Sequence, residues 1–293
     1  MSTCRKRLRR PGPADSIRPM GSWQVTVLDH RHEPGGRPQG RPEGPLAQRD
    51  GWEVHGGDGE LSRVDADGVV RWRRPCPGRP NAAHLSADRV LVTTSSFEYT
   101  AWGHLGPALL LDLADGSLVA ELRGERGAAL GDDGRFVLGL EGYGAFHTWA
   151  HDRDGAVVDS WPSYGHYVVD GGLRVVEADR RVPTRSRVVR LLPGGVVEPG
   201  PRLSDAQAPA PLVLADGTLL VLDAGVLRAV GRELDDAVLA ELLPLAPDQR
   251  HRFTGALRRT AEGLTATLVE RHPTRMGRYS RHVWTLGLRT PRP

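Results

Sequence analysis

The chain repeats one short phrase six times: an acidic or glycine turn that runs directly into a string of aliphatic residues. The copies begin at Asp50, Asp88, Asp133, Asp170, Asp216 and Glu262, at intervals of 38, 45, 37, 46 and 46 residues. Two typical copies are Asp133-Gly134-Arg135-Phe136-Val137 and Asp216-Gly217-Thr218-Leu219-Leu220-Val221. Asp-Gly pairs beside short aliphatic runs are hairpin signals, because glycine supplies the turn and the runs are too short for most helices. A unit that recurs every ~40 residues cannot bury its apolar face alone and must stack on its neighbours.

The best-formed unit spans Ala83 to Gly124 and predicts four strands. His84-Leu85-Ser86-Ala87 turns at Ala87-Asp88 into Arg89 to Thr94; then come a long aromatic loop, Ala108 to Leu113, a turn at Ala114-Asp115-Gly116, and Ser117 to Leu122. A second register marks the later hairpin of the other units, at Asp67-Gly68, Asp154-Gly155, Gly194-Gly195 and Asp235-Asp236. The sixth copy has none, since the chain ends soon after His282 to Leu288. The missing strand is available at the other end, in Ser22 to Asp29. The one helix-like stretch, Glu233 to Leu245, fits the repeat as a hairpin and outer strand.

These repeats resemble those of the WD-repeat-like and quinoprotein-like propellers, in which each blade is a four-stranded meander. The resemblance to quinoprotein repeats also covers Gly68 to Trp72, a glycine-to-tryptophan blade ending. It implies an all-β fold: a single β-propeller over residues 21–293, with six four-stranded blades and a ring closed by the N-terminal strand on the last blade. Hiding both sheet edges in this way removes a template for aggregation. Residues 1–20 are expected to be a disordered basic tail, with Met20 as an alternative start, and Arg31 to Glu43 a flexible Pro/Gly-rich connector.

The net charge of +3 is misleading. Residues 1–20 hold Arg5, Lys6, Arg7, Arg9, Arg10 and Arg18 against Asp15, and removing that excess of five leaves the rest at −2. Such a body has no general electrostatic reason to bind nucleic acid. Lys6, Ile17 and Asn81 are the sole examples of their types, which points to a GC-rich, actinobacterial genome in which arginine commonly stands where lysine would. No apolar segment follows the basic start, and no run reaches membrane-spanning length. Cys4 and Cys76 form no disulfide framework or metal spacing. The expected location is the cytoplasm, and the expected state a monomer.

In a meander the turns alternate between two ends. The Asp-Gly turns occupy one; the loops between second and third strands, and the links between blades, occupy the other. This loop face gathers Glu98, Tyr99, Trp102 and His104, then Glu141, Tyr143 and His147, then Tyr164 and His166, with Arg185, His251 and Arg275 further on. Long loops on a rigid scaffold are where binding residues concentrate. Aromatic rings with histidine and arginine suit a partly apolar, anionic or aromatic ligand.

The leading expectation is a binding module that presents this face to a protein or small-molecule partner. Tyr99, Trp102, Tyr143, Tyr164, Arg185, His251 and Arg275 would contact the ligand. The alternative is an enzyme of specialised metabolism using Glu98, His104, His147 and His166 as acid–base groups, with Glu141 a further candidate. No cofactor is expected. The nearest approach to a metal site is a divalent ion in the central channel, held by Asn81, Glu125, Asp205 and Asp248, as in the six-bladed lactonase-like propellers. Ser95, Ser96 and Ser163 stand near histidines but in no GxSxG elbow. Asp65 to Trp72 lacks the leading serine of a sialidase Asp-box and reads as a structural turn.

Overall fold

A computed structural model of the chain describes residues 23–35, 44–101, 103–142, 145–178, 186–205, 208–243, 253–261, 263–271 and 279–289. The chain opens with β1 (Gln24–Pro34) and then forms its first sheet from β2 (Ala47–Arg49), β3 (Trp52–Gly57), β4 (Glu60–Val64) and β5 (Val70–Pro75). The second sheet contains β6 (Arg79–Ser86), β7 (Arg89–Thr100), β9 (Pro107–Asp112) and β10 (Leu118–Arg123), with the short β8 (Gly103–Leu105) paired to β7. The third is β11 (Arg126–Ala129), β12 (Phe136–Gly142), β13 (Ala145–His151) and β14 (Val157–Trp161). The fourth is β15 (Gly165–Val169), β16 (Leu173–Glu177), β17 (Arg187–Leu192) and β18 (Val196–Arg202). The fifth is β19 (Leu212–Val213), β20 (Leu219–Asp223), β21 (Val226–Val230) and β22 (Asp236–Glu241). The sixth takes β23 (Phe253–Thr260), β24 (Gly263–Arg271) and β25 (Tyr279–Arg289) from the C-terminus, and β1 as its fourth strand.

Every ladder is antiparallel, and no helix occurs among the described residues. The stretch Glu233 to Leu245 contributes the strand β22, as the repeat predicts. The middle strands read as unbroken aliphatic runs because both of their faces are buried. Successive side chains point to opposite faces. Val137 therefore packs with Val175 and Val189 of the fourth sheet, whereas Phe136 and Leu138 pack with Leu91 and Leu110 of the second. Leu219 and Val221 likewise join Val176 and Val188, while Leu220 and Leu222 join Leu264 and Trp284. Val54 and Leu61 meet Val90 and Leu109 across the first seam. Burying side chains of this size contributes ~1.5–3 kcal/mol each, which is what holds neighbouring sheets together. Among the described residues no such cluster joins the sixth sheet to the first.

The first strands β6, β11 and β15 approach one another, so they form the inner wall. The fourth strands lie outside. Leu28, Val70, Leu118, Val157, Val196 and Val238 are large apolar residues left exposed, and each sits on a fourth strand. Tryptophans tie two of these outer strands to the next sheet. Trp72 donates its indole N–H to the Leu113 carbonyl at 2.9 Å, and Trp161 does the same to Leu192 at 2.7 Å. Trp72 needs the turn glycine to reach its place. Gly116 has a φ of +73°, and a Cβ there would stand 2.7 Å from the indole ring.

The N-terminal strand completes the last sheet, from Gln24 opposite Arg289 to Pro34 opposite Ser280, with a register shift between Val27 and Asp29. His30 stacks on Trp284 at 4.8 Å and His32 on His282 at 4.5 Å, and Trp23 donates to Asp216 of the fifth sheet at 2.9 Å. Two local expectations change. Arg31 to Pro34 belong to β1, so the connector starts later than the Pro/Gly composition suggested; the basic tail and residues 36–43 lie outside the described residues. The aromatic loop of the second unit is a hairpin, because β7 runs on to Thr100 and turns back through β8.

Candidate functional site

The extended β7–β8 hairpin forms one wall of a cavity of about 450 Å³ at the seam between the second and third sheets. Asn81, Ser95, Tyr99 and His104 line it from the second sheet, and Glu125, Arg126 and Glu141 from the third. Asn81 begins its exchange with Ser95 by donating from Nδ2 to Oγ at 2.7 Å, and the hydroxyl returns toward Oδ1 at 3.1 Å. Tyr99 is 80% exposed and meets His104 edge to face, with ring centroids 5.4 Å apart.

The opposite wall rests on a buried tyrosine. Tyr164 is only 1% exposed and donates its hydroxyl to Glu125 Oε1 at 2.7 Å. The Glu141 backbone N–H reaches the same oxygen at 3.4 Å. The Arg126 guanidinium lies over the Tyr164 ring, 5.1 Å from its centroid, and Phe146 stacks on that ring at 6.1 Å. Arg126 Nη1 is buried and has no hydrogen-bond partner among the described residues. A buried donor left unpaired costs ~1–3 kcal/mol, more when charged, so it marks a position where a ligand acceptor is favoured.

Glycine makes room for this arrangement. A Cβ on Gly139 would overlap the Tyr167 hydroxyl and stand 3.0 Å from the Tyr164 ring. Tyr167 and Thr148 share a hydroxyl hydrogen bond of 2.7 Å, and Thr148 also donates to the Ser163 carbonyl. Burial raises both tyrosine hydroxyls above their ordinary range, so both remain protonated donors at neutral pH. His166 is lowered to about 3 by burial and by the neighbouring Arg126 charge, so it is a neutral imidazole.

The sequence candidates divide accordingly. Tyr99 and His104 line the cavity, and Glu141 joins them. Tyr164 lies beneath the wall as a support, buried where a loop position had implied exposure, because the Arg126 guanidinium covers its ring and the Phe146 ring lies beside it. Glu98 is exposed, with its N–H on Ser96 Oγ at 3.1 Å, and His147 packs on Trp149 at 4.6 Å; neither lines the cavity, and neither does His166. Trp102, Tyr143, Arg185, His251 and Arg275 lie outside the described residues, as does Asp248. Of the channel-metal candidates, Asn81 and Glu125 share the cavity, whereas Asp205 is buried elsewhere, its N–H on Asp223 Oδ1 at 2.8 Å. Among the described residues no three His, Cys, Asp or Glu side chains come together as ligands for a metal. Arg126 does not stand out in the sequence because it lies at the start of an inner strand, not in a long loop.

No family model and no curated protein matches the chain. Solved structures do match. Dihydro-heme d1 dehydrogenase NirN, in complex with DHE, is 17% identical with a TM-score of 0.51, over 78% of this chain and 52% of NirN. BamB from Moraxella catarrhalis is 19% identical with a TM-score of 0.44, over 80% of this chain and 79% of BamB. TolB from Acinetobacter baumannii is 14% identical with a TM-score of 0.41, over 82% of this chain and 65% of TolB. The fold is a β-propeller. At these identities the likeness concerns architecture alone, since propellers serve many unrelated functions. The propeller's Asp-Gly end is occupied by structural ties, such as Arg174 bonded to the Gly217 and Gly231 carbonyls at 2.6 and 3.2 Å. The propeller's opposite end carries the cavity.

Proposed function

We propose that this propeller is a binding module whose loop-face cavity, between its second and third blades, takes a small polar molecule. The observation that carries the reading is Arg126: a cavity-lining guanidinium stacked on a buried tyrosine, with its Nη1 buried and unpartnered among the described residues. Beside it, Glu125 is held by the Tyr164 hydroxyl and offers an oriented acceptor. Oriented donors and acceptors of this kind bind without first having to be ordered, which is the basis of preorganised affinity. Tyr99 and His104 add an exposed aromatic edge on the other side. The enzyme reading is weaker, because of its acid–base candidates only His104 and Glu141 reach the cavity, while Glu98, His147 and His166 do not.

The test is a screen of polar metabolites by ligand-detected NMR and thermal shift, on the full chain and on Arg126→Gln. A bound compound should lose about tenfold or more in affinity in the variant, as expected for a charge-assisted hydrogen bond. A compound that binds both proteins equally well, or no compound that binds the wild type, would overturn the assignment.

A further inference from the structure

The sixth sheet has two unlike faces. Toward the fifth sheet it presents Leu257, Leu264, Ala266, Leu268, Trp284 and Leu286, the apolar set that seals that seam. Its other face, on the side away from the fifth sheet, breaks this pattern. The strand register sets it out in rows. Arg31 of β1 stands opposite Val283 of β25, which stands opposite Thr267 of β24. In the next row Thr285 faces Thr265, and Thr265 faces Arg258 of β23. On the other side Glu33 faces Arg281, and Arg281 faces Val269.

A cavity of about 370 Å³ opens on this face, and its lining includes Arg31, Arg258, Arg259, Arg281, Thr265 and Thr267 but no Asp or Glu. Counter-charge is only partial. Arg281 pairs with Glu33 at 2.9 Å from Nη1, yet its Nε is buried with no partner among the described residues. Arg31 has Asp29 at 3.6 Å, in an exposed pair that solvent screens. Arg259 is held by the Val213 carbonyl at 2.6 Å. Arg258 has no ion pair among the described residues.

Arginine is common throughout this chain, so abundance carries no weight; position does. The five seams between successive sheets place aliphatic and aromatic side chains where this open face places guanidinium groups and threonine hydroxyls. The guanidinium groups of Arg31, Arg258 and Arg281 around one cavity repel one another unless an anion joins them, whereas Arg259 shares the face of Leu257 and Leu264 and is turned to the fifth sheet. Guanidinium groups match the oxygens of phosphate in a planar, two-pronged geometry. We propose that this cavity is a second binding site, for a small ligand carrying a phosphate ester or polyphosphate. Arg31 and Arg258 approach it from opposite edges of the sheet, and the Thr265 and Thr267 hydroxyls supply neutral donors between them. The loop-face cavity, with two carboxylates to one guanidinium, has the opposite charge balance and would not accept the same molecule.

Pyrophosphate is the probe. Calorimetry on the full chain, in a phosphate-free buffer of low ionic strength, should give saturable binding of one pyrophosphate per chain. The affinity should fall as salt rises, because each guanidinium contact is partly screened. Arg31→Gln with Arg258→Gln should weaken binding by about tenfold or more. Both residues are exposed, so the unliganded double variant should melt no lower than the wild type. Arg126→Gln should bind pyrophosphate as the wild type does. Absence of saturable binding, or binding that survives the double substitution, would overturn the proposal; so would loss of binding in Arg126→Gln, which would move the anion to the other cavity.

Discussion

Tyr164 and Glu125 are joined by a 2.7 Å hydrogen bond across the seam between the third and fourth blades, and the ring that makes it also supports Arg126. One buried side chain thus fixes both an acceptor and a donor of the candidate site. Tyr164→Phe keeps the ring and removes only the hydroxyl. Its expected cost is ~1.5–3 kcal/mol, the range for a hydrogen bond to a charged group, with several-fold weaker ligand binding. Urea denaturation and a binding titration on the same variant measure the two effects. Unchanged affinity would separate Tyr164 from the site.

Gly139 is the space that Tyr167 occupies. Gly139→Ala forces the hydroxyl away from Thr148 and is expected to destabilise the chain by ~1–3 kcal/mol, in the manner of an overpacked core. Gly131, whose added Cβ would have nothing closer than an Asp133 oxygen at 3.8 Å, is the contrasting position. Gly131→Ala should leave the urea midpoint nearly unchanged.

Stability should begin to fall on acidification at the buried histidines. His84 is lowered to about 4 by burial and His166 to about 3 by burial and Arg126. His282 is lowered by burial and by the charges of His32 and His30. Each folded-state value lies below the ordinary histidine value of 6.5, so the unfolded chain binds more protons over the intervening range. The stabilisation is fully present above about pH 6.5 and is lost as the pH falls toward the folded values. Melting temperatures between pH 8 and pH 4 should show this decline, and His166→Gln should flatten it. A flat profile in the wild type would contradict the buried neutral imidazoles.

The N-terminal strand carries half of the histidine–tryptophan stack on the last blade. A chain beginning at Gly44 loses that strand and uncovers the whole edge of β25, an open template for pairing with another chain. Size-exclusion chromatography should show association or collapse of the truncated protein. Trp23→Ala removes the bond to Asp216 together with the indole's packing on the core between the fifth and sixth sheets, and should cost more than the ~1 kcal/mol of a lone hydrogen bond while the protein stays monodisperse.

The architecture was readable from residues whose constraints are local. Asp-Gly turns such as Asp115-Gly116 need a positive φ that glycine supplies, and Val137 or Leu220 sit in runs that only a doubly buried strand explains. The candidate site was half readable. Tyr99 and His104 showed themselves as polar aromatics in a long inter-strand segment, whereas Arg126 is an ordinary-looking arginine until the fold sets it on Tyr164. Tyr164 was misplaced for a related reason: it is covered by groups of another sheet, the Arg126 guanidinium over its ring and the Phe146 ring beside it. The polar face of the sixth blade was visible as Thr265, Thr267 and Arg281 alternating with apolar residues, but alternation alone does not say which neighbour is missing.

The pairing of β1 with β25 also governs the timing of assembly. During synthesis the first five sheets can form in order, each from strands adjacent in the chain and each docking on the one before. β1 cannot take its place until the strand ending at Arg289 has left the ribosome. While the five intervening sheets are made β1 is therefore an unpaired strand waiting for a partner, and the final blade is the slow, long-range step of folding. A chain that stalls near its C-terminus would leave the cell holding five finished blades and two loose ends.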